Sequence, residues 1–252
     1  MARAAVLGRL TWQVGTIAAV RRETPSTATL VLDAPEWPSH LAGQHVDVKL
    51  TAEDGYSAQR SYSIASAPAL GRVEITVQRV EDGEISPYLV DVARPGDQVE
   101  FRGPIGGYFV WRPELESQPP VLLVAGGSGV VPLMAMVRTR ADAGSRTPFR
   151  LIYSVRTPED AIYADELRRR VRDDMGVDVA WAYTRKAPDG WPGHVGRLDA
   201  GRLAADGWPA TLEPDVFVCG PTPFVETVAD LLVDAGHEPR RIRTERFGPT
   251  GG

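Results

Sequence analysis

Apolar residues follow one period before about residue 102 and another after residue 121, so no single regular architecture accommodates the whole chain. In the first stretch they alternate: Trp12 and Val14; Val46, Val48 and Leu50; Val73, Ile75 and Val77; Val99 and Phe101. Period two belongs to strands with one buried face. Turn residues separate the runs at Ala42-Gly43, Asp54-Gly55, Leu70-Gly71 and Pro95-Gly96-Asp97. Short strands without long helices between them predict an antiparallel β-barrel. One insertion, Gly83 to Val92, interrupts it, with Ser86 placed to cap and Pro87 to open a single short helix.

The segment WRPELESQPP (111–120) holds three prolines and reads as a linker. Beyond it, VLLVA (121–125), FRLIYSV (149–155), VDVAWAYT (177–184) and DVFVC (215–219) are continuous apolar runs of the kind that form strands buried on both faces. Helices are predicted from Pro132 to about Ala143, from Glu159 to Asp174 and from Thr222 to Ala235. The last puts Phe224, Val225, Val228, Leu231 and Leu232 on one face and stops at Gly236. A final strand is predicted over Arg241 to Phe247. This alternation predicts an α/β domain with a five-stranded parallel sheet, whose ligands lie at the carboxyl ends of its strands. The expected division is 9–112 for the barrel and 118–247 for the α/β domain, and 252 residues suit two domains.

Composition narrows the function. Twenty-eight Lys and Arg against 33 Asp and Glu give a net charge of −5, which leaves no basic excess to neutralise a nucleic-acid backbone. Nucleic acid is therefore not an expected partner. The uncharged stretch Val121 to Val137 is broken by glycines and Pro132 and falls short of the roughly 20 apolar residues of a membrane span. The N-terminus lacks the apolar core of a secretory signal, so a cytoplasmic location is expected. A lone cysteine, Cys219, excludes an internal disulfide, a cysteine-based zinc site and an iron–sulfur cluster held by four cysteines of this chain. His40, His45, His194 and His237 show no metal-ligand spacing, and no metal is expected.

The clearest chemical signal of the second half is Gly126-Gly127-Ser128-Gly129-Val130-Val131-Pro132, a glycine-rich turn between a buried strand and a helix. Glycines let the backbone approach a ligand, and the helix start offers free N–H groups to a pyrophosphate. The same turn nearly matches a nucleophile elbow, with Ser128, Asp215 and His237 in hydrolase order. The elbow's final glycine is missing, and a preceding barrel has no place in that fold. In the first half, Arg60-Ser61-Tyr62-Ser63 combines a cation for phosphate, a flat ring for stacking and a hydroxyl. Together with Gly83-x-x-Ser86 opening a helix, it suits an elongated ligand with a planar end and a phosphate end, a flavin nucleotide.

Taken in order, Arg60-Ser61-Tyr62-Ser63, Gly83-Glu84-Ile85-Ser86, Gly103-Pro104-Ile105-Gly106, Gly126 to Pro132 and Cys219-Gly220-Pro221 resemble the motifs of the ferredoxin–NADP reductase superfamily. The resemblance implies an FAD-binding barrel followed by a nicotinamide-nucleotide domain. It implies Arg60 and Ser86 at the FAD pyrophosphate, Tyr62 against the isoalloxazine, Ser63 near its reactive nitrogen, and Ser61, Gln78, Gly83 and Ile85 among the cofactor-binding residues. Gly127, Ser128 and Gly129 fall at the dinucleotide pyrophosphate, with Cys219, Gly220 and Pro221 beside the nicotinamide. Ser63, Cys219 and Glu245 are the candidate catalytic residues, although Cys219 also reads simply as a small buried residue ending a strand. Glu245-Arg246-Phe247 resembles the family's acid-x-aromatic ending, but Gly248 to Gly252 follow, which leaves the stacking role of Phe247 open.

Arg156 follows the second buried strand, and Thr184-Arg185, similar to the Ser-Arg of NADP-using relatives, follows the third. NADPH is favoured on that ground, and NADH stays open. The implied function is an FAD-dependent NAD(P)H oxidoreductase that passes electrons to a separate protein such as a ferredoxin or oxygenase component. The alternative is a flavin-containing relay or sensor subunit with little turnover alone.

Overall fold

Six strands form the first sheet: β1 (Gln13–Thr24), β2 (Thr27–Asp33), β3 (His45–Thr51), β4 (Ser57–Ser63), β5 (Arg72–Gln78) and β6 (Gln98–Ile105). The structure, a computed structural model, describes residues 10–52, 54–113 and 118–248. The expected limit at residue 9, part of the expected linker and the tail after Gly248 therefore lie outside the described residues. All neighbours in the order β4-β3-β6-β1-β2-β5 pair antiparallel. The two edges meet beyond β4, where the Ala65 N–H donates to the Glu74 carbonyl at 2.8 Å and Ile64 bridges Ile75. That contact closes the sheet into a barrel. Ile17, Leu30, Leu32, Val46, Val48, Ile75 and Phe101 fill it.

Strand β2 has no counterpart in the alternation read from sequence, because both its faces are buried. Ala28, Leu30 and Leu32 point into the barrel. The opposite face carries Thr27 and Thr29, and the Thr29 hydroxyl is 2.7 Å from that of Thr76. The expected helix after Gly83 is present as a short turn with a wide, π-helical section over Tyr88–Val92. Ser86 does not cap it. Its buried hydroxyl instead accepts the Val80 N–H at 3.0 Å, so it fixes the turn that precedes the helix.

The second sheet comprises β7 (Val121–Gly126), β8 (Phe149–Val155), β9 (Val177–Tyr183), β10 (Asp215–Pro221) and β11 (Ile242–Phe247), all parallel, in the order β11-β10-β7-β8-β9. Both faces are covered: Val121, Leu123 and Ala125 of β7 enter one apolar cluster, Leu122 and Val124 the other. Helix α1 (Val130–Asp142) follows β7, α2 (Ala164–Asp173) follows β8, and α4 (Thr222–Asp234) follows β10. A fourth helix, α3 (Ala200–Asp206), escaped the sequence reading although Asp199 caps it by accepting the Arg202 N–H at 2.8 Å. Helix α2 starts later than its predicted Glu159. The chain makes a 3-10 turn over Pro158–Asp160, and Tyr163 then takes the left-handed region at φ 58°. Its buried ring reaches Thr76 of the barrel, and that contact delays the helix. Among the described residues no helix is long and apolar enough to cross a membrane.

Trp111 is not part of a free linker. It bridges Ala42, is buried, and packs edge-on against Phe149 with ring centres 5.0 Å apart. Phe109 packs in the same way on Phe217 at 5.4 Å. Ala42, Ala65, Phe109 and Trp111 thus belong to the apolar cluster of the second half, which makes the two halves one continuous core on that side. Truncating Trp111 to Ala is expected to cost about 3–5 kcal/mol. Denaturant unfolding followed at both barrel and sheet probes checks this, and an unchanged midpoint would show that the contact is dispensable.

Candidate functional site

The parallel sheet changes winding direction between β7 and β10, so their carboxyl ends define a crevice. Gly127–Gly129 forms a 3-10 turn there and α1 begins at Val130. A β-carbon on Gly129 would stand 2.0 Å from the Cys219 carbonyl oxygen, and one on Gly126 would stand 2.8 Å from the Phe224 ring. Neither position admits a side chain. Gly127 has φ +54° with open space beyond its Cα, so the turn presents bare backbone outward. Ser128 sits on this turn. The hydrolase alternative fails on topology: Asp215 begins β10 beside Val121, at the opposite end of the sheet from Ser128, and bonds Arg241 at 3.1 Å.

Cys219 lies in register with Glu245 of β11 and with Ala125 of β7. The Cys219 thiol is fully buried, 3.9 Å from Glu245 Oε2. Burial and the neighbouring Glu245 charge push that thiol well up, which holds it as S–H. Burial also raises the Glu245 carboxyl to about 7, with the Cys219 contact drawing it slightly back. Glu245 is therefore poised to take or release a proton near neutrality. Its second oxygen is 4.0 Å from Nδ1 of His45, a barrel residue with no local motif around it to mark it as part of a site. Burial lowers the His45 pKa, opposed by nearby Asp47. Gly220 and Pro221 continue β10, and Pro221 pairs with Phe247. Phe247 packs on the apolar cluster of the α/β domain.

The barrel contributes β4. Arg60 and Tyr62 share one strand face, opposite core residues Val48 and Val46, while Ser61 and Ser63 share the other. Tyr62 is half-buried, and burial pushes its hydroxyl up to about 12 despite Arg60. It remains a neutral, flat surface. Ser63 lies opposite His45, and its buried hydroxyl has no hydrogen-bond partner among the described residues. Such a group normally finds one. Ser61 turns away and donates to Asp47 at 2.6 Å. Arg60 forms an exposed pair with Glu84 at 2.8 Å, a contact worth about 0–1 kcal/mol that keeps the guanidinium at the Gly83–Ser86 turn. Gly83 is required there because a β-carbon would meet the Ser86 hydroxyl at 2.9 Å. Ile85 is buried in the barrel core, and Gln78 is exposed at the end of β5.

At the ends of β8 and β9 the Arg185 and Lys186 N–H groups both donate to the Arg156 carbonyl, at 3.0 and 3.2 Å. Arg156, Arg185 and Lys186 are exposed together there, beside partly buried Thr184. Lys186 was not singled out in the sequence, where nothing ties it to Arg156.

The orphaned Ser63 hydroxyl, the Arg60–Gly83–Ser86 corner and the side-chain-free turn at Gly127–Gly129 fit a flavin and a dinucleotide in chemistry. The class is that of a two-domain nucleotide-dependent oxidoreductase: residues 16–110 match the family described as oxidoreductase FAD-binding domain and residues 123–230 that described as oxidoreductase NAD-binding domain. The chain is 32% identical over 211 residues to the glycine betaine monooxygenase reductase subunit of Pseudomonas aeruginosa, covering 82% of this chain and 56% of that one. It thus spans a little over half the length of that relative. Its fold is similar to the flavohem-like FAD/NAD-binding domain of nitric oxide dioxygenase from Vibrio cholerae, with TM-score 0.83 and 25% identity over 94% of this chain and 99% of that one. A cytochrome P450 reductase of Amycolatopsis gives TM-score 0.81 and 26% identity over 98% and 74%. The chain belongs to the ferredoxin–NADP reductase superfamily.

In the folded chain Glu245 keeps its proton up to about 7, whereas an unfolded chain releases it near roughly 4.3. The native state binds the extra proton within that window, so its stability falls as pH rises through it. Glu245→Gln removes this slope. The stability of the variant relative to wild type is expected to rise between pH of about 4.5 and about 8, measured by denaturant unfolding. Parallel pH curves would show that Glu245 ionises freely.

Proposed function

We propose that this chain takes hydride from NADPH onto FAD and delivers electrons singly to a separate redox protein, such as a ferredoxin or an oxygenase component. The observation that carries the reading is the meeting of Ser63, from the barrel, with the Cys219–Glu245 pair through His45 at the carboxyl edge of the parallel sheet. The domains are 9–112 for FAD and 118–247 for the nicotinamide nucleotide. When bound, FAD supplies the exchange between two-electron and one-electron chemistry. The chain's own residues position and insulate. Arg60, released from its weak pair with Glu84, and the Gly83–Ser86 turn hold a pyrophosphate, while Tyr62 supplies a stacking face and Ser63 a hydroxyl for the ring edge. Gly127–Gly129 holds the second pyrophosphate on backbone N–H groups. Cys219 fills the space beside the nicotinamide as a thiol, and Glu245 holds a proton close by.

Arg156, Thr184 and Arg185, joined by Lys186, favour the 2′-phosphate of NADPH, with NADH as the alternative. The relative named as a monooxygenase reductase subunit supports a protein acceptor. We assign a cytoplasmic location, where reduced nicotinamide nucleotides are held. A relay or sensor role with little turnover is the second reading, favoured by the separate-subunit status of that relative.

Anaerobic mixing with NADPH and NADH separates these readings. Rapid bleaching of the flavin, faster with NADPH, is expected, and a flavin that stays oxidised would leave only the relay. Arg185→Ala is expected to erase roughly tenfold or more of the NADPH preference by removing a charged contact to phosphate. Arg60→Ala is expected to weaken FAD retention by roughly tenfold to a hundredfold. Full flavin occupancy of that purified variant would overturn the assignment of Arg60.

A further inference from the structure

One buried cation joins the two lobes away from the site just described. Arg138 lies eight residues into α1, about 12 Å along the helix from the Gly127–Gly129 turn. Its side chain is 12% exposed. Nε and Nη2 donate to the two oxygens of Glu166 on α2, at 3.1 and 2.6 Å. Nη1 crosses to the barrel and donates to the Ala65 carbonyl at 2.8 Å, with the Glu74 carboxylate 3.6 Å away. The guanidinium also lies 4.8 Å from the centre of the Tyr163 ring, whose hydroxyl bonds Thr76 of the barrel.

Folding alone does not call for this arrangement. Glu166 already has a second cation in Arg170 at 3.2 Å, and Glu74 has one in Arg21 at 2.7 Å. Each carboxylate is neutralised within its own lobe without Arg138. What Arg138 adds is the bond to Ala65, two residues beyond Ser63, at the point where Ala65 N–H and Glu74 O close the barrel. A rigid helix is thus fastened at one end to the nucleotide turn and along its length to the backbone that carries Ser63.

We infer that Arg138 is a positioning residue for hydride transfer: by tying α1 to the chain just beyond Ser63, it makes the seat of the nucleotide on one lobe fix the seat of the flavin edge on the other. The inference rests on the FAD and NADPH reading above. It predicts coupling between the turn that seats the nucleotide and the strand end that carries Ser63, transmitted by a cation about 12 Å along α1 from that turn. Ring-to-ring alignment is sensitive to such coupling, since a displacement of about 1 Å costs roughly a hundredfold in rate.

The test uses the FAD-loaded chain with NADP⁺ and NADPH as probes. In wild type, NADP⁺ is expected to slow amide exchange at 126–131 and also at 63–67. In Arg138→Gln the first protection persists and the second is lost, the long-wavelength charge-transfer absorbance of stacked rings shrinks, and the limiting rate of flavin bleaching falls roughly tenfold to a hundredfold. NADP⁺ affinity is expected to stay within about threefold, because no group that holds the nucleotide has been altered. Arg138→Lys recovers only part of the rate, since an ammonium cannot bond both Glu166 oxygens and the Ala65 carbonyl together. Should Arg138→Gln fail to fold, Arg138→Lys keeps a cation beside Glu166 and is expected to weaken the same protection, because it gives up the guanidinium bond to the Ala65 carbonyl. Retained protection at 63–67 with an unchanged bleaching rate, in whichever variant folds, overturns the inference. A wild-type flavin that NADPH never bleaches overturns instead the reading beneath it.

Discussion

The contact on which the site depends is between two stretches of backbone. The Gly127–Gly129 turn rests so closely on the end of β10 that the hydrogen of Gly129 occupies the only space left beside the Cys219 carbonyl, where a methyl carbon would lie 2.0 Å away. Gly220 is pressed in the same way against Gly126 and the Phe224 ring, with a β-carbon reaching each at 3.0 Å. The ends of β7 and β10 and the turn that starts α1 therefore meet without side chains between them, and the Phe224 ring of α4 closes over Gly126 and Gly220. The backbone N–H groups of the turn and the Cys219 thiol and Glu245 carboxyl are consequently held at one fixed separation, and pre-organised placement of this kind is where positional catalysis originates.

Around that junction the chain tolerates groups that a core ordinarily excludes. Glu245 is a carboxyl in surroundings that favour its neutral form, Cys219 is a thiol kept protonated, and Ser63 has a hydroxyl with no partner among the described residues. Glu245 and Ser63 oppose folding by an amount that a hydrophobic residue would not, roughly 1–3 kcal/mol for an unbonded polar group, whereas Cys219 packs as a small apolar residue. The barrel core and the two faces of the parallel sheet offset this. Concentrating such groups where two lobes meet lets the local cost coincide with the place where a ligand can satisfy them.

The parts of this design legible in the sequence were those with a short-range signature. Continuous apolar runs located β7, β8, β9 and β10 because a parallel strand covered on both faces has no polar alternative. The glycine turn and the Arg60-Ser61-Tyr62-Ser63 motif were legible because backbone approach and phosphate recognition require particular residue types at close spacing. What escaped depends on partners distant in sequence. Strand β2 looks unpatterned because Thr27 and Thr29 are buried on its second face, where the Thr29 hydroxyl joins Thr76 in a network that Tyr163 completes from the other lobe. Trp111 stands among linker-like prolines, yet its ring is claimed by Phe149. His45 is an isolated histidine until β11 brings Glu245 beside it.

The same long-range logic explains how the lobes are joined. On one side the contact is apolar, through Ala42, Phe109 and Trp111 entering the sheet's own cluster. On another it is polar, through Arg138 and Tyr163 reaching Ala65, Glu74 and Thr76. An apolar patch alone resists separation but is non-directional, so it fixes attachment more strictly than orientation. Directional bonds from a planar guanidinium remove that freedom, since donors fixed in one plane meet their acceptors in one orientation only. Joining the halves by both kinds of contact therefore specifies relative orientation as well as attachment, which is what a site built from residues of both lobes requires.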